Sequence, residues 1–138
     1  MSGLRIQVGD RAAITRVVSV ADVCAFADVT GDRNPVHLDA NFAANTMFGF
    51  PIAHGMLGAG FILAVLGTRL PGPGALYLQQ SLMFRDPVFV GDEVTAEVAV
   101  ISVREDKPVV TLLTECRNRE GVLLIEGEAV LLVPPEAS

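Results

Sequence analysis

The sequence predicts an α+β fold in which an antiparallel sheet wraps around one long central helix. Three observations lead there. Gly55–Leu70 is apolar on every face until Thr68 and Arg69, so a helix made from it has to be enclosed by other elements. Glu93–Val103 alternates strictly, with Val94, Ala96, Val98 and Val100 on one side and Glu93, Thr95 and Glu97 on the other. Two further apolar segments follow through short turns, the pattern of an antiparallel meander. A wholly apolar helix and the apolar face of a sheet bury each other most simply when the sheet curls around the helix.

Arg11–Val18, with Ile14, Thr15, Val17 and Val18, reads as a first strand. Ser19 then opens an S-x-x-D capping signal with Asp22. Val20, Val23, Cys24, Phe26 and Ala27 follow at helical spacing up to Gly31, a residue suited to the left-handed position after a helix. Asp32–Asp39 comes next as a polar loop. Pro35 has a fixed φ and pushes Asn34 toward an extended conformation, so no helix is expected to run through it. Asp39 is placed to cap a short helix up to Asn45. Thr46–His54 is irregular and rich in glycine, proline and aromatic residues, and Gly55 then begins the long helix, which Pro71-Gly72-Pro73-Gly74 ends.

The remainder is β-rich. Ala75–Arg85 is one extended run closed by Asp86-Pro87. Glu93–Val103, Val109–Arg117 and Val122–Val133 are strands joined by the turns at Glu105–Pro108 and Asn118–Gly121. No repeat or linker interrupts the 138 residues, so one domain covering 1–138 is expected, with Met1–Gly3 and Pro134–Ser138 as loose ends.

Composition narrows the partners. The net charge is −6, and the ten Lys and Arg residues are scattered, so no basic patch for nucleic acid is expected. With 51% hydrophobic residues the chain can fill a core and still leave apolar surface for self-association. Cys24 and Cys116 form no C-x-x-C pattern, which argues against a zinc site or a disulfide framework. The longest apolar run is too short to span a bilayer, and no basic, apolar leader is seen, so a cytoplasmic protein without membrane attachment is expected.

The chemistry is concentrated between Asp32 and Met56. Asp32 and His37 form an acid–base pair in the functional reading: the ionised carboxylate takes a proton from water while the imidazole orients that water and exchanges a proton with the substrate. In the plainer reading Asp32 makes an Asx turn and His37 is polar surface. Asn34 either hydrogen-bonds across the loop or simply favours the turn before proline. Asp39 reads as a cap rather than a catalyst. His54, immediately before the long helix, contacts substrate or makes a structural hydrogen bond. Gly55 places an unpaired N–H at the positive end of the helix dipole, where it can stabilise an oxyanion, or it is a flexible entry to a buried helix. Asp32, His37 and Asp39 lack the further His, Cys or Glu of a convincing metal site, so none is expected. Neither G-x-S-x-G nor a nucleotide-binding glycine motif occurs.

Three blocks carry a resemblance: Gly31-Asp32-Arg33-Asn34-Pro35-Val36-His37-Leu38-Asp39, then Ala53-His54-Gly55-Met56-Leu57, then Phe84-Arg85-Asp86-Pro87-Val88-Phe89-Val90-Gly91-Asp92-Glu93-Val94. In this order they resemble the MaoC-like (R)-specific enoyl-CoA hydratases. The first block is specific, and the last is shared by hotdog-fold proteins generally. The resemblance implies a hotdog fold and reversible hydration of a trans-2-enoyl-CoA to an (R)-3-hydroxyacyl-CoA. It also implies a homodimer with the acyl-CoA thioester at the subunit interface, and no cofactor. Asp32 and His37 take the places of the catalytic pair and Gly55 that of the oxyanion donor. The division of the two proton roles stays open. Asn34, His54 and Met56 are candidates for substrate contact, and Arg69, Arg85 and Lys107 are candidates for CoA contact only because they are basic.

Relatives specialised for short acyl chains often carry serines in the first turns of the long helix. Gly58–Leu63 has no hydroxyl here; Gly58 and Gly60 are expected to make room in an acyl tunnel and Leu63 to fill it. Two other functions compete. A hotdog acyl-CoA thioesterase usually places a carboxylate on the long helix, and Gly55–Leu70 contains neither Asp nor Glu. A non-catalytic acyl-CoA binding module would have no use for an acid–base pair.

Overall fold

The computed structural model describes residues 6–133. The expected loose ends, Met1–Gly3 and Pro134–Ser138, lie outside that range. Strand β1 (Arg11–Val17) runs into helix α1 (Val20–Thr30) through a full capping box. The Ser19 hydroxyl accepts from the Asp22 N–H at 3.0 Å, and the Asp22 carboxylate accepts from the Ser19 N–H at 3.1 Å. Gly31 ends α1 at φ 81°, a left-handed conformation that side chains disfavour.

The expectation of no helix after Gly31 is corrected. Pro35–Leu38 forms a single turn, α2, with Pro35 at its start and Asn34 as its cap. Proline belongs at this position because its missing N–H would have no helical partner and its fixed φ already suits a helix. Asn34 itself is extended (φ −53°, ψ 125°), as the following proline requires. Asp39 closes α2 and caps α3 (Ala40–Ala44), accepting from the Asn41 and Phe42 amides at 2.9 and 3.1 Å.

Helix α4 spans Gly55–Thr68. Its Gly58, Ala59, Phe61, Ile62, Val65 and Leu66 are buried against the sheet. The expectation that the helix is enclosed on every side holds for that face only. Met56 and Leu63 are 55% and 47% exposed, so an apolar face is left uncovered in the single chain.

The sheet consists, in the described residues, of six antiparallel strands: β1, β2 (Leu76–Gln80), β3 (Met83–Phe84), β4 (Glu93–Val103), β5 (Val109–Asn118) and β6 (Leu123–Leu132), in the order β1-β4-β5-β6-β2 with β3 also on β6. Strands β4, β5 and β6 are the expected meander. The inward side of β4 is Val94, Ala96, Val98 and Val100, each at most 1% exposed, as the alternation requires. The run Ala75–Arg85 is not one strand but two, β2 and β3, both pairing with β6. Between them the Ser81 backbone crosses directly over Gly127: a β-carbon on Gly127 would stand 1.9 Å from the Ser81 oxygen. Only glycine admits that approach. The sheet curls around α4 and gives the hotdog fold. The chain then leaves Gly55, the first residue of α4, beside the turn that follows α1.

Candidate active site

Asp32 sits at the start of a turn built from local hydrogen bonds. Its N–H donates to the Thr30 hydroxyl at 3.1 Å, and one carboxylate oxygen accepts from the Asn34 N–H at 3.1 Å. That second bond is an Asx turn, and it leaves the other carboxylate oxygen outside the turn. The nearby Arg33 guanidinium pairs with Asp28 rather than with Asp32. The Asn34 side-chain oxygen accepts from the Val36 N–H at 3.1 Å, so its capping role is the one observed.

His37 projects from α2 with Nδ1 2.7 Å from the Ile52 carbonyl oxygen. A carbonyl only accepts, so Nδ1 carries a proton and Nε2 is the nitrogen left to exchange one. His54 is 3% exposed, and its Nε2 lies 2.9 Å from the Asp32 carbonyl oxygen, again as a donor. The rings of His37 and His54 stack with centroids 3.8 Å apart and planes 28° from parallel. Phe26 packs on the His54 ring at 4.8 Å.

His54 also caps α4 through its main chain. Its carbonyl accepts from the Leu57 and Gly58 amides, which leaves the amides of Gly55 and Met56 in the unpaired first turn at the positive end of the helix. The close neighbour of Gly55 is the half-exposed Phe84 ring, which a β-carbon there would meet at 2.8 Å.

The fold thus brings together Asp32, His37, His54, Gly55 and Met56 around one cavity of about 240 Å³, with Phe26 and Thr30 completing its wall. Asn34 does not line it. A second cavity of about 470 Å³ shares Gly55 and Met56 and is largely apolar, with Phe48, Ile52, Phe84, Val88 and Ile125 in its wall. Arg85 lines this cavity and is paired to Glu126 at 2.6 Å. Arg69 and Lys107 line neither cavity. Sequence reasoning missed Phe26 and Thr30, although their i, i+4 spacing just before Gly31 puts them on one helix face at the motif. It also missed the Ile52 carbonyl, which no residue pattern announces.

Two expectations about the acyl tunnel are corrected. Gly58 makes no room, because Ile125 Cδ1 fills the space and a β-carbon on Gly58 would stand 2.6 Å from it. Leu63 points to the uncovered face of α4 and lines neither cavity.

The carboxylate and imidazoles of Asp32, His37 and His54 also offer ligand atoms within 4.8 Å of one another. Asp39, the third ligand considered from sequence, is turned away to cap α3. Stacked imidazoles hold their lone pairs in nearly parallel planes, so one ion at about 2.0–2.1 Å from both would lie off those directions. The set therefore suits proton transfer better than metal binding.

A family profile described as MaoC like domain matches residues 6–117. The chain belongs to this family. Among MaoC-like relatives, an (R)-specific enoyl-CoA hydratase of Aeromonas caviae is 51% identical over 134 residues, covering 97% of this chain and all of that one (100%). A protein of the same description from Rhodospirillum rubrum is 49% identical over 129 residues, covering 94% of this chain and 89% of its own. A solved structure described as an (R)-hydratase from A. caviae involved in PHA biosynthesis superposes with a TM-score of 0.93 at 51% identity, over 94% of this chain and 98% of that one. No described helix of this MaoC-like chain is long and apolar enough to cross a membrane.

Proposed function

We propose that this protein is an (R)-specific enoyl-CoA hydratase, adding water across the double bond of a trans-2-enoyl-CoA and acting through Asp32, His37 and Gly55. The observation that carries the reading is the convergence of a carboxylate, an imidazole and a helix N-terminus on one small cavity. The close MaoC-like relatives named as hydratases support the same reaction.

The step balances without cofactor. Asp32, ionised, takes one proton from water as the water oxygen bonds to the β-carbon. The double-bond electrons move onto the thioester oxygen, where the Gly55 N–H stabilises the enolate. The enolate collapses and its α-carbon takes a proton from Nε2 of His37, whose ring enters the cycle protonated on both nitrogens and is left protonated on Nδ1 alone. Nδ1 stays bonded to the Ile52 carbonyl throughout, which keeps Nε2 aimed at the substrate. Transfer of the proton from Asp32 to His37 resets the pair. The net change is one water added, and the reverse order gives dehydration. Division of the two proton roles the other way round uses the same atoms.

The thioester is proposed to lie across the two cavities, with its reacting carbons beside Asp32 and His37 and an apolar portion against Phe48, Phe84 and Ile125. Met56 lines both cavities, His54 lines the smaller one, and Asn34 shapes the turn. A homodimer belongs to the same proposal, because Met56, Leu63, Leu78 and Phe84 are about half exposed in the single chain. So do action as a single domain and a cytoplasmic location, where a charged CoA thioester is available.

Crotonyl-CoA is the probe, followed by loss of the enoyl absorbance. Turnover in the native chain and its collapse in Asp32→Asn and His37→Ala are expected. Unchanged turnover in both variants would show the site to be wrong. Release of free thiol instead of loss of enoyl absorbance would mean a thioesterase.

A further inference from the structure

We infer that His54 is the positioning residue of this site: from the start of α4 it holds the Asp32 main chain and the His37 ring at one separation, and so sets the distance between the two proton-transfer groups. The inference deepens the hydratase reading and rests on it.

Asp32 and His37 stand on supports with little stability of their own. Asp32 lies in an exposed turn whose other hydrogen bonds stay within two residues, to Thr30 and Asn34. His37 stands on a single helical turn, which is too short to persist by itself. His54 touches both. Its Nε2–H reaches back 22 positions to the Asp32 carbonyl at 2.9 Å, and its ring face carries the His37 ring at 3.8 Å. Burial to 3% exposure and the Phe26 ring behind it allow His54 little movement of its own.

Packing alone does not account for a histidine here. The other ring nitrogen, Nδ1, is buried and has no hydrogen-bond partner among the described residues. An aromatic ring without that nitrogen would fill the same space and leave no buried acceptor unpaired. The imidazole is therefore explained by the one polar contact it does make, the tether to Asp32. Because the same residue carries the His54 carbonyl that caps α4, the tether also ties the pair to the Gly55 amide.

Two variants separate the tether from the stack. His54→Phe keeps a ring against His37 and removes the donor. His54→Gln keeps an amide donor near the place of Nε2 and removes the ring. With crotonyl-CoA, kcat of His54→Phe is expected to fall about 10- to 100-fold while KM stays within about threefold, the pattern of misplaced reacting groups. His54→Gln is expected to regain most of that loss. A residue that merely stabilised the helix start would give no such split and no rescue by a donor. In two-dimensional amide spectra, the resonances of Asp32, Arg33 and Asn34 should move in His54→Phe and return toward their native positions in His54→Gln. That readout needs no turnover. If the native chain fails to hydrate crotonyl-CoA, the functional reading falls, while the amide shifts still judge the tether. Native kcat in His54→Phe, equal losses in both variants, or unmoved Asp32–Asn34 resonances in His54→Phe would each overturn the inference.

Discussion

Gly58 of α4 and Ile125 of β6 face each other so closely that a β-carbon built on the glycine would stand 2.6 Å from Ile125 Cδ1. Ile125 is 1% exposed and has little room to retreat. Gly58→Ala should therefore destabilise the fold: overpacking at about 1–3 kcal/mol outweighs the roughly 1 kcal/mol that alanine adds in helix propensity. Ile125→Val removes the offending methyl. In that background Gly58→Ala should become neutral or stabilising, and a double-mutant cycle by urea denaturation reads the coupling. Simple additivity of the two changes would refute the contact.

Gly55→Ala meets a different neighbour. The added methyl group would press on the Phe84 ring at 2.8 Å, and that ring is half exposed and free to turn aside. Thermal stability should stay close to native. The ring would turn within the larger cavity beside the proposed oxyanion donor, so kcat/KM for crotonyl-CoA should drop by about tenfold or more. A variant with native kinetics would remove Gly55 from the proposed machinery.

Gly127→Ala should be far more damaging. The atom in the way is the Ser81 backbone oxygen, at 1.9 Å, and the β2–β3 crossing cannot move without breaking its bonds to β6. A loss of about 3 kcal/mol or more is expected, seen as a large fall in the unfolding midpoint. A midpoint within a few degrees of native would mean that the crossing is loose.

The capping box of α1 should give the fold an acid-sensitive component. Asp22 is held below its ordinary 3.8 first by the Ser19 N–H it accepts, with the Ser19 hydroxyl and Arg16 acting in the same direction against partial burial. A depressed carboxylate contributes stability above its unfolded value and loses it as pH falls through the lower folded value. Asp22→Asn should thus cost stability near neutral pH, and the difference from native should shrink below about pH 4. Ser19→Ala should cost about 0.5–2 kcal/mol at neutral pH. A pH-independent difference for Asp22→Asn in thermal unfolding would contradict the assignment.

The two cysteines should react differently. Burial pushes the Cys116 thiol up to about 12, and it lies against the Gly58 carbonyl at 3.5 Å, whereas Cys24 is exposed. Alkylation of the native protein at about pH 8 should modify Cys24 alone, and denaturant should release the second site. Mass spectrometry showing both modified in the native state would mean that the α4–β5 packing opens readily.

Much of the fold was legible because its signals are local. The Ser19–Asp22 box, the glycine after α1, the Asp39 cap, the Pro-Gly stop after α4 and the alternation of β4 each depend on neighbouring residues. One error was a local ambiguity, and the others arose where distant groups meet. Pro35 reads as a breaker from one side and a helix start from the other, and the cap supplied by Asn34 decides between them. Ala75–Arg85 carries no sign of a break, because the break is imposed by a strand partner at Gly127. Gly58 looks like open space until Ile125 is set against it.

Residue order alone offered the groups proposed for the chemistry, since Asp32, His37 and Gly55 sit at positions whose local geometry exposes a carboxylate, an imidazole and a helix N-terminus. Tertiary structure decided how they are oriented. The Ile52 carbonyl that anchors His37 Nδ1 and the His54 ring that bridges to Asp32 approach across 15 and 22 positions of chain, and hydrogen bonds of that reach exist only once the sheet has closed around its helix.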